Sequence, residues 1–465
     1  MRPGFQFECS AEFEPERAQE VLRDVPEAPG VFALRGARGE DEPYLTRTAN
    51  LRRRMARLLA APEAVDAEGR PLLSKRLNLR EKVARIEWSV TGSEFESNLV
   101  LYCAAAAEFG YEAARKRLRL HTPFFLRLAM ENVHPRVYVT NKLSRRGLAL
   151  MYGPFPSRAA AERYCDEALN LFKLRRCYED LEPYPEHPGC AYGEMKKCLA
   201  PCQNACSAEE YAAEAAAVKA FFDTRGESML AAIEAERERA SAEMEFEQAA
   251  ALHAQWQKVK AVAALAEEIV RLVRELRAVI VQRAAKREGG HAEEAAIFLL
   301  KGGCIVTGET GPERLSTLGV RAVREQTSVG SSLFAQPLML QAVPLEPDEV
   351  VDAPELRAER VLASLEQRVH DGDLAEMSDH LSLLRRWYYR PEKQRAGEIF
   401  LPNADGNWPV RRILRGAARV VIGEPGVMAE VDREAAKAFT PPELSSPPEP
   451  SQEILNQASD EGHAR

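Results

Sequence analysis

Four cysteines, Cys177, Cys190, Cys198 and Cys202, fall within 26 residues in the spacing C-x12-C-x7-C-x3-C. No other stretch constrains the fold as much, because thiols this close must either share a ligand or be packed apart. Soft thiolates at close spacing suit an iron–sulfur cluster or zinc. Unligated buried cysteines are the alternative. A disulfide framework does not fit. The N-terminus, MRPGFQFECSAEFEPER, carries acids early and has no long apolar stretch, so it does not read as an export signal. Nine cysteines then point to a reducing, cytoplasmic setting. Cys206 follows closely. Cys9, Cys103, Cys165 and Cys304 lack such company and read as buried small hydrophobes.

With 465 residues, 45% of them hydrophobic, the chain can build about three packed domains. No apolar run is long enough to predict a transmembrane helix. The net charge of -8 hides an asymmetry: Tyr44 to Arg146 holds 20 Lys/Arg against 10 Asp/Glu. The basic residues cluster as Arg52, Arg53, Arg54 and Arg57; as Lys75, Arg76, Arg80, Lys82 and Arg85; and as Arg115, Lys116, Arg117 and Arg119. Any one cluster reads as a solvated helix face, but three in a hundred residues make nucleic acid a serious candidate partner.

Pattern and turn signals organise the chain as α+β. Pro29-Gly30 precedes a strand, Gly36 to Pro43 is a hairpin loop, and Tyr44-Leu45-Thr46 returns. Asn50 can cap a helix with Leu51, Met55, Leu58 and Leu59 on one face. Glu87 to Thr91 is a third strand, followed by a helix from Ser93 to Phe109. Arg136 to Thr140 and Leu148 to Met151 read as a small hairpin, and Ala159 to Phe172 as a helix. Ala208 to Arg277 reads as almost continuously helical. Ala278 to Leu345 is β-rich, Glu355 to Tyr389 helical, and Arg419 to Ile422 a late strand. Residues from Pro441 form a disordered tail by composition. Gly302, Gly303, Gly308 and Gly311 are no phosphate loop, since no Gly-Lys-Ser/Thr follows.

Gly-Val-Phe on one strand, a strand opening with Tyr, and a helix containing Asn-Leu-Arg-Arg-Arg resemble the GIY-YIG nuclease fold. More narrowly, PGVFAL, YLTRTANLRRRM and TGSEFESNLVL resemble the UvrC-type subunit of the bacterial excision nuclease. The resemblance implies a small three-stranded sheet with helices over 21–115 that cuts DNA using two tyrosines, an arginine and a metal-holding glutamate. Matched one by one, the first tyrosine is Phe32, the second Tyr44, the glycine after it Thr46, the following basic residue Arg47, the arginine Arg54 and the glutamate Leu101. Leucine cannot coordinate a cation, so Mg2+ or Mn2+ is expected only if Glu94 or Glu96 substitutes. The catalytic candidates are Tyr44 and Arg54, and the DNA-binding candidates Arg47, Arg52, Arg53 and Arg57.

LRRCYEDLEPYPEHPGCAYGEMKKCLAPC resembles that family's cysteine region, which implies a [4Fe–4S] cluster on Cys177, Cys190, Cys198 and Cys202, with zinc as runner-up. AEMEFEQAAALHAQWQKVKAV resembles the UVR motif, a helical hairpin that docks a UvrB-type subunit. Phe246, Ala250 and Trp256 are its contact candidates; an intramolecular helix pair explains the apolar stripe as well. The expected layout is the cysteine-rich region at 116–207, the UVR-like helices at 208–277, a divergent α/β region at 278–440 and the tail at 441–465. About 60 residues follow Pro402, too few for the family's RNase H-like second nuclease domain. Two functions follow: a UvrC-like repair protein that binds DNA with an impaired or lost nuclease site, or a single-incision endonuclease related to short UvrC homologues.

Overall fold

A computed structural model of the chain describes residues 4–38, 41–61, 77–286, 294–307, 311–317, 320, 353–368, 372–391 and 394–423. Lys75, Arg76 and the whole predicted tail lie outside the described residues. The architecture is α+β, with three antiparallel sheets.

The first sheet has four strands where three were expected. Strand β1 (Cys9–Glu12) precedes helix α1 (Ala18–Asp24), β2 (Gly30–Gly36), β3 (Tyr44–Thr48), helix α2 (Leu51–Leu59) and β4 (Val83–Val90), in the order β1-β4-β2-β3. β1 was missed because its sequence, CSAE, has no β-branched residue and its side chains are largely exposed. Strand parity divides the sheet. Phe32, Leu34, Ile86 and Trp88 face α1 and α2, where they pack with Leu51, Met55, Leu58 and Leu59. The Asn50 side chain caps α2 by accepting from Arg53 N at 2.8 Å. Leu51, Met55 and Leu59 are fully buried, each stabilising by about 1.5–3 kcal/mol.

The other face takes helix α3 (Glu94–Phe109), which leads into α4 (Tyr111–Leu118). A second sheet has the order β6-β5-β7-β8, from β5 (Phe124–Ala129), β6 (Arg136–Thr140), β7 (Met151–Phe155) and β8 (Arg271–Leu272). The predicted hairpin therefore does not exist: β5 lies between β6 and β7, and Gly147–Leu150 is a 3-10 turn ahead of β7. Helix α5 (Arg158–Leu169), the short α6 (Ala191–Glu194) and α7 (Ala208–Asp223) follow; α5 and α7 cover one face of this sheet.

The predicted continuous helix is broken twice, giving α8 (Glu227–Ala242) and α9 (Phe246–Ala263), and it ends near Ala264. The breaks fall where Arg225, Gly226 and Met244 have positive φ. High Ala and Glu content masked them, since composition signals helix but not its interruptions.

The third sheet contains β9 (Arg277–Arg283), β10 (Glu294–Lys301), β11 (Cys304–Val306), β12 (Glu313–Ser316) and the late β13 (Glu398–Phe400). It is buried on both faces. Val279, Val281, Ile297 and Leu299 meet α10 (Pro354–Gln367) and α12 (Val410–Ile422). Ile280, Phe298 and Leu300 meet α3 and α11 (Leu374–Tyr388). The helix predicted over Glu355 to Tyr389 is thus two helices. Arg419 to Ile422 is the end of α12, not a strand: Ile413, Leu414 and Ala417 bury at helical spacing, a longer-range pattern than the short β-branched run. A Cβ on Gly416 would stand 2.3 Å from the Phe400 ring, which is how closely α12 lies on β13.

Cys165 and Cys304 are buried and Cys103 half-buried, but Cys9 is exposed on the edge strand β1. Among the described residues no helix is long and apolar enough to cross a membrane.

Candidate functional site

Tyr44 opens β3 and Arg54 lies in the first turns of α2, on the same face of the sheet. The fold brings them together: Arg54 Nη2 donates to the Tyr44 hydroxyl at 3.0 Å. Phe32 is fully buried, its ring centroid 6.2 Å from that of Tyr44. It serves as a core aromatic beneath the tyrosine and offers no hydroxyl.

The carboxylates on α3 are committed elsewhere. Glu96 is buried and accepts from Gly92 N at 2.7 Å, while the Ser93 side chain accepts from Glu96 N at 3.1 Å. This is a helix cap, and it fixes the start of α3. Glu94 accepts from Arg390 at 2.6 and 2.9 Å and from Arg47 at 3.2 Å. The Arg390 hydrogen bonds, outweighing partial burial and joined by Arg47, pull its carboxyl down to about 2. Arg47 extends to the α3 side of the sheet, opposite in strand parity to Tyr44. Leu101 is half-buried on α3. Arg390 was not visible as a site residue from sequence, because the chain brings it to Glu94 from 296 residues away.

The arginines of α2 divide. Arg52 is consumed by structure, donating to the carbonyls of Val25 (2.7 Å) and Arg23 (2.9 Å) and to Glu27 (2.7 Å). Arg53 and Arg57, one helical turn apart, are exposed with no acid partner among the described residues. They are the pair suited to phosphate.

The four cysteines do come together. Cys177, Cys190, Cys198 and Cys202 line one small pocket beside Arg175, Arg176 and Tyr192, whereas Cys206 is not part of its wall. Ala200 N donates to Cys198 Sγ at 3.4 Å. Arg175, itself buried, reaches Cys177 Sγ at 3.8 Å and ties the loop down through the carbonyls of His134 (3.1 Å) and Glu179 (3.0 Å). Burial first, and then the neighbouring thiols, push Cys198 up to about 11 and raise Cys202 as well. Among the described residues no group of three or more His, Cys, Asp or Glu is set to hold a metal ion as it stands. Arg175 was the part missed in the sequence, although its place two residues before Cys177 signalled it.

α8 and α9 form an antiparallel hairpin whose tip exposes Met244 and Phe246. Ala250 is exposed on α9. Trp256 is half-buried against the middle core, stacked on His253 at 6.2 Å, with Lys260 Nζ 4.7 Å from its ring. The three predicted contact residues therefore differ: Phe246 and Ala250 face outward, and Trp256 joins the hairpin to its own domain.

Comparison with known proteins finds similarity over part of the chain. The family described as UvrC/Cho excinuclease, middle domain, matches residues 124–221, from β5 to α7. The chain is 28% identical over 247 residues to UvrABC system protein C of Desulforudis audaxviator, covering 53% of this chain and 38% of that protein. It is also 28% identical over 238 residues to UvrABC system protein C of Carboxydothermus hydrogenoformans, covering 51% and 37%. The chain thus spans a little over a third of the length of these relatives. No solved structure matches it.

Proposed function

We propose that this chain, similar to UvrC-type proteins over about half its length, acts in nucleotide-excision repair by gripping DNA without cutting it at the Tyr44–Arg54 site. One observation carries the second half of this reading: both acids at the start of α3 are already engaged, Glu96 in the helix cap and Glu94 between two guanidiniums. Phosphodiester hydrolysis usually uses an oxygen-ligated cation beside the phosphate, and the position matching the family's ligand is Leu101. Arg54, with Arg53 and Arg57 on the same helix, can still neutralise phosphates.

The retained Tyr44–Arg54 contact favours a second reading, a single-incision endonuclease. A nicking assay on damaged duplex with Mg2+ or Mn2+ decides between them. The binding reading expects no nicks and weaker binding by Arg54→Ala. Nicks made by the wild type and lost in Arg54→Ala would overturn it.

The gathering of Cys177, Cys190, Cys198 and Cys202 around one pocket supports a thiolate-held group, a [4Fe–4S] cluster on the resemblance of the cysteine region, with zinc as the alternative. Arg175 and Arg176 beside it would offset the negative charge of the thiolates. The exposed hairpin tip supports docking of a UvrB-type subunit through Phe246.

A further inference from the structure

Residues 132–161 contain no Asp or Glu, yet Arg136, Lys142, Arg145, Arg146 and Arg158 lie among them. Three of these cations sit in one loop, Asn-Lys-Leu-Ser-Arg-Arg-Gly (141–147), which leaves the edge strand β6 on the way to β7. The loop is pinned through its backbone. Lys142 N donates to Thr140 Oγ1 at 3.1 Å, Gly147 N to Ser144 Oγ at 2.9 Å, and Leu148 N to the Ser144 carbonyl at 2.9 Å. Half-buried Leu143 packs against the core below. A Cβ on Gly147 would stand 2.6 Å from Ser144 Oγ, so the turn closes tightly there. Thr140, Leu143, Ser144 and Gly147 thus hold the loop, and the side chains of Lys142, Arg145 and Arg146 take no part in it.

The fold adds a fourth cation. Arg274, in the 3-10 turn Val273–Glu275 between β8 and β9, donates from Nη2 to the Arg145 carbonyl at 3.4 Å, across a sequence separation of 129 residues. Lys142, Arg145, Arg146 and Arg274 are all exposed, and none has an acid partner among the described residues. Glu131, the acid nearest the loop in sequence, is paired with Arg127; Glu275 beside Arg274 is exposed. Like charges gathered on one pinned loop repel one another, and a polyanion relieves that repulsion. The loop offers no aromatic ring on which a base could stack, and its one large apolar residue, Leu143, is turned to the core instead of toward a lipid surface. What it can recognise is a row of closely spaced negative charges, as on a phosphate backbone.

We propose that this loop, together with Arg274, is a second contact for the DNA phosphate backbone, carried by the second sheet and separate from α2. The proposal rests on the reading of the chain as a protein that grips DNA, and it adds a point of attachment that Arg53, Arg54 and Arg57 do not supply.

The test is binding of the full chain to duplex DNA over a series of salt concentrations, with vesicles of phosphatidylserine and phosphatidylcholine as a parallel arm. Lys142→Ala/Arg145→Ala/Arg146→Ala should weaken duplex binding by about tenfold or more and reduce the slope of log affinity against log salt by about 2.7, the loss of three phosphate contacts. Arg145→Lys/Arg146→Lys keeps the charge and should keep the slope, a rescue that a purely structural role for these arginines would not give. The loop is held by other residues, so the alanine variant should melt with the wild type. Should it melt early, Arg145→Gln/Arg146→Gln reads the same slope with side-chain length and polarity closer to native. Adding Arg53→Ala/Arg57→Ala should lower the slope further. A wild type that binds duplex while the alanine and glutamine variants keep its slope removes the loop from the interface and leaves the α2 reading standing. A wild type that binds no duplex at low salt overturns both. Vesicle binding that is lost in the variants while duplex binding is unchanged assigns the loop to a lipid surface and overturns the proposal.

Discussion

Arg115 Nε donates to Asp379 Oδ1 across 2.6 Å, joining α4 to α11 over a sequence separation of 264 residues. Asp379 is 1% exposed and also accepts from the Tyr102 hydroxyl at 3.1 Å. Around it, the Thr122 and Ser378 hydroxyls share a 2.6 Å hydrogen bond, and His380 Nδ1 accepts from Ile305 N at 3.1 Å. Farther along, Arg385 and Tyr389 donate to the carbonyls of Pro156 and Pro154 at 2.9 and 2.8 Å. One helix thereby holds the first sheet, the middle domain and the third sheet in fixed relation. Asp379→Ala leaves the Tyr102 hydroxyl buried without its acceptor and Arg115 without its carboxylate, so it should cost about 2–4 kcal/mol. Tyr102→Phe should cost only about 0.5–1.5 kcal/mol. Urea unfolding of the two variants checks the ranking; an Asp379→Ala midpoint equal to wild type contradicts the coupling.

The Glu94 clamp gives a pH signature. Its carboxyl is depressed from 4.5 to about 2, so the folded state holds the anion more tightly than the unfolded chain does. The resulting stability is present above the unfolded value and is lost as pH falls through 4.5 toward 2. Glu94 is partly exposed, so solvent screening keeps the effect small. Unfolding midpoints of wild type and Glu94→Gln, followed from pH 6 down to pH 2, should differ at the upper end and converge at the lower. A gap that widens on acidification rejects the clamp.

Much of this was legible in the chain, and what was hidden has physical causes. The Asn50 cap and the stripe Leu51, Met55 and Leu58 mark α2 because cap and periodicity agree. The pairing of Tyr44 with Arg54 needs only adjacent elements, so motif spacing sufficed. β1 was invisible because an edge strand with exposed side chains has no alternation to read. The Glu94–Arg390 and Arg115–Asp379 contacts depend on how distant elements dock, and local pattern carries no information about that. Arg52 looked like its neighbours in sequence; only the fold turns it toward the carbonyls of Arg23 and Val25.

Arg53 and Arg57 offer the simplest test of DNA binding. Each is exposed and without an acid partner among the described residues, so each can release about one counterion on meeting a phosphate. Arg53→Ala/Arg57→Ala should weaken binding about equally on damaged and undamaged duplex. It should also reduce the slope of log affinity against log salt by about 1.8. Arg52→Ala should instead lower thermal stability, since its hydrogen bonds are internal. A double variant with an unchanged salt slope removes α2 from the interface.

The cysteine pocket is tested by colour. Protein prepared without oxygen should carry the broad visible absorbance of an iron–sulfur centre, with iron and acid-labile sulfide in equal amounts. Cys198→Ser removes one wall of the pocket and should bleach it, whereas Cys206→Ser, outside that wall, should not. A colourless protein containing one zinc per chain would replace the cluster with a tetrahedral ion.

The helical hairpin separates docking from scaffolding through two residues of α9. Phe246 is 69% exposed at the tip and makes little contribution to the core, so Phe246→Ala should leave the unfolding midpoint within about 0.5 kcal/mol of wild type. If the tip is the surface for a UvrB-type subunit, the same change should cost about 1–2 kcal/mol of binding, since a truncated apolar anchor is felt only where it is desolvated by a partner. Trp256 packs against the middle core, so Trp256→Ala should do the reverse and lower stability by about 2–3 kcal/mol. Titration of a UvrB-type protein against both variants, alongside their thermal melts, reads the two effects separately. Should Phe246→Ala bind as tightly as wild type while Trp256→Ala unfolds early, the hairpin is a brace for its own domain and the docking surface lies elsewhere.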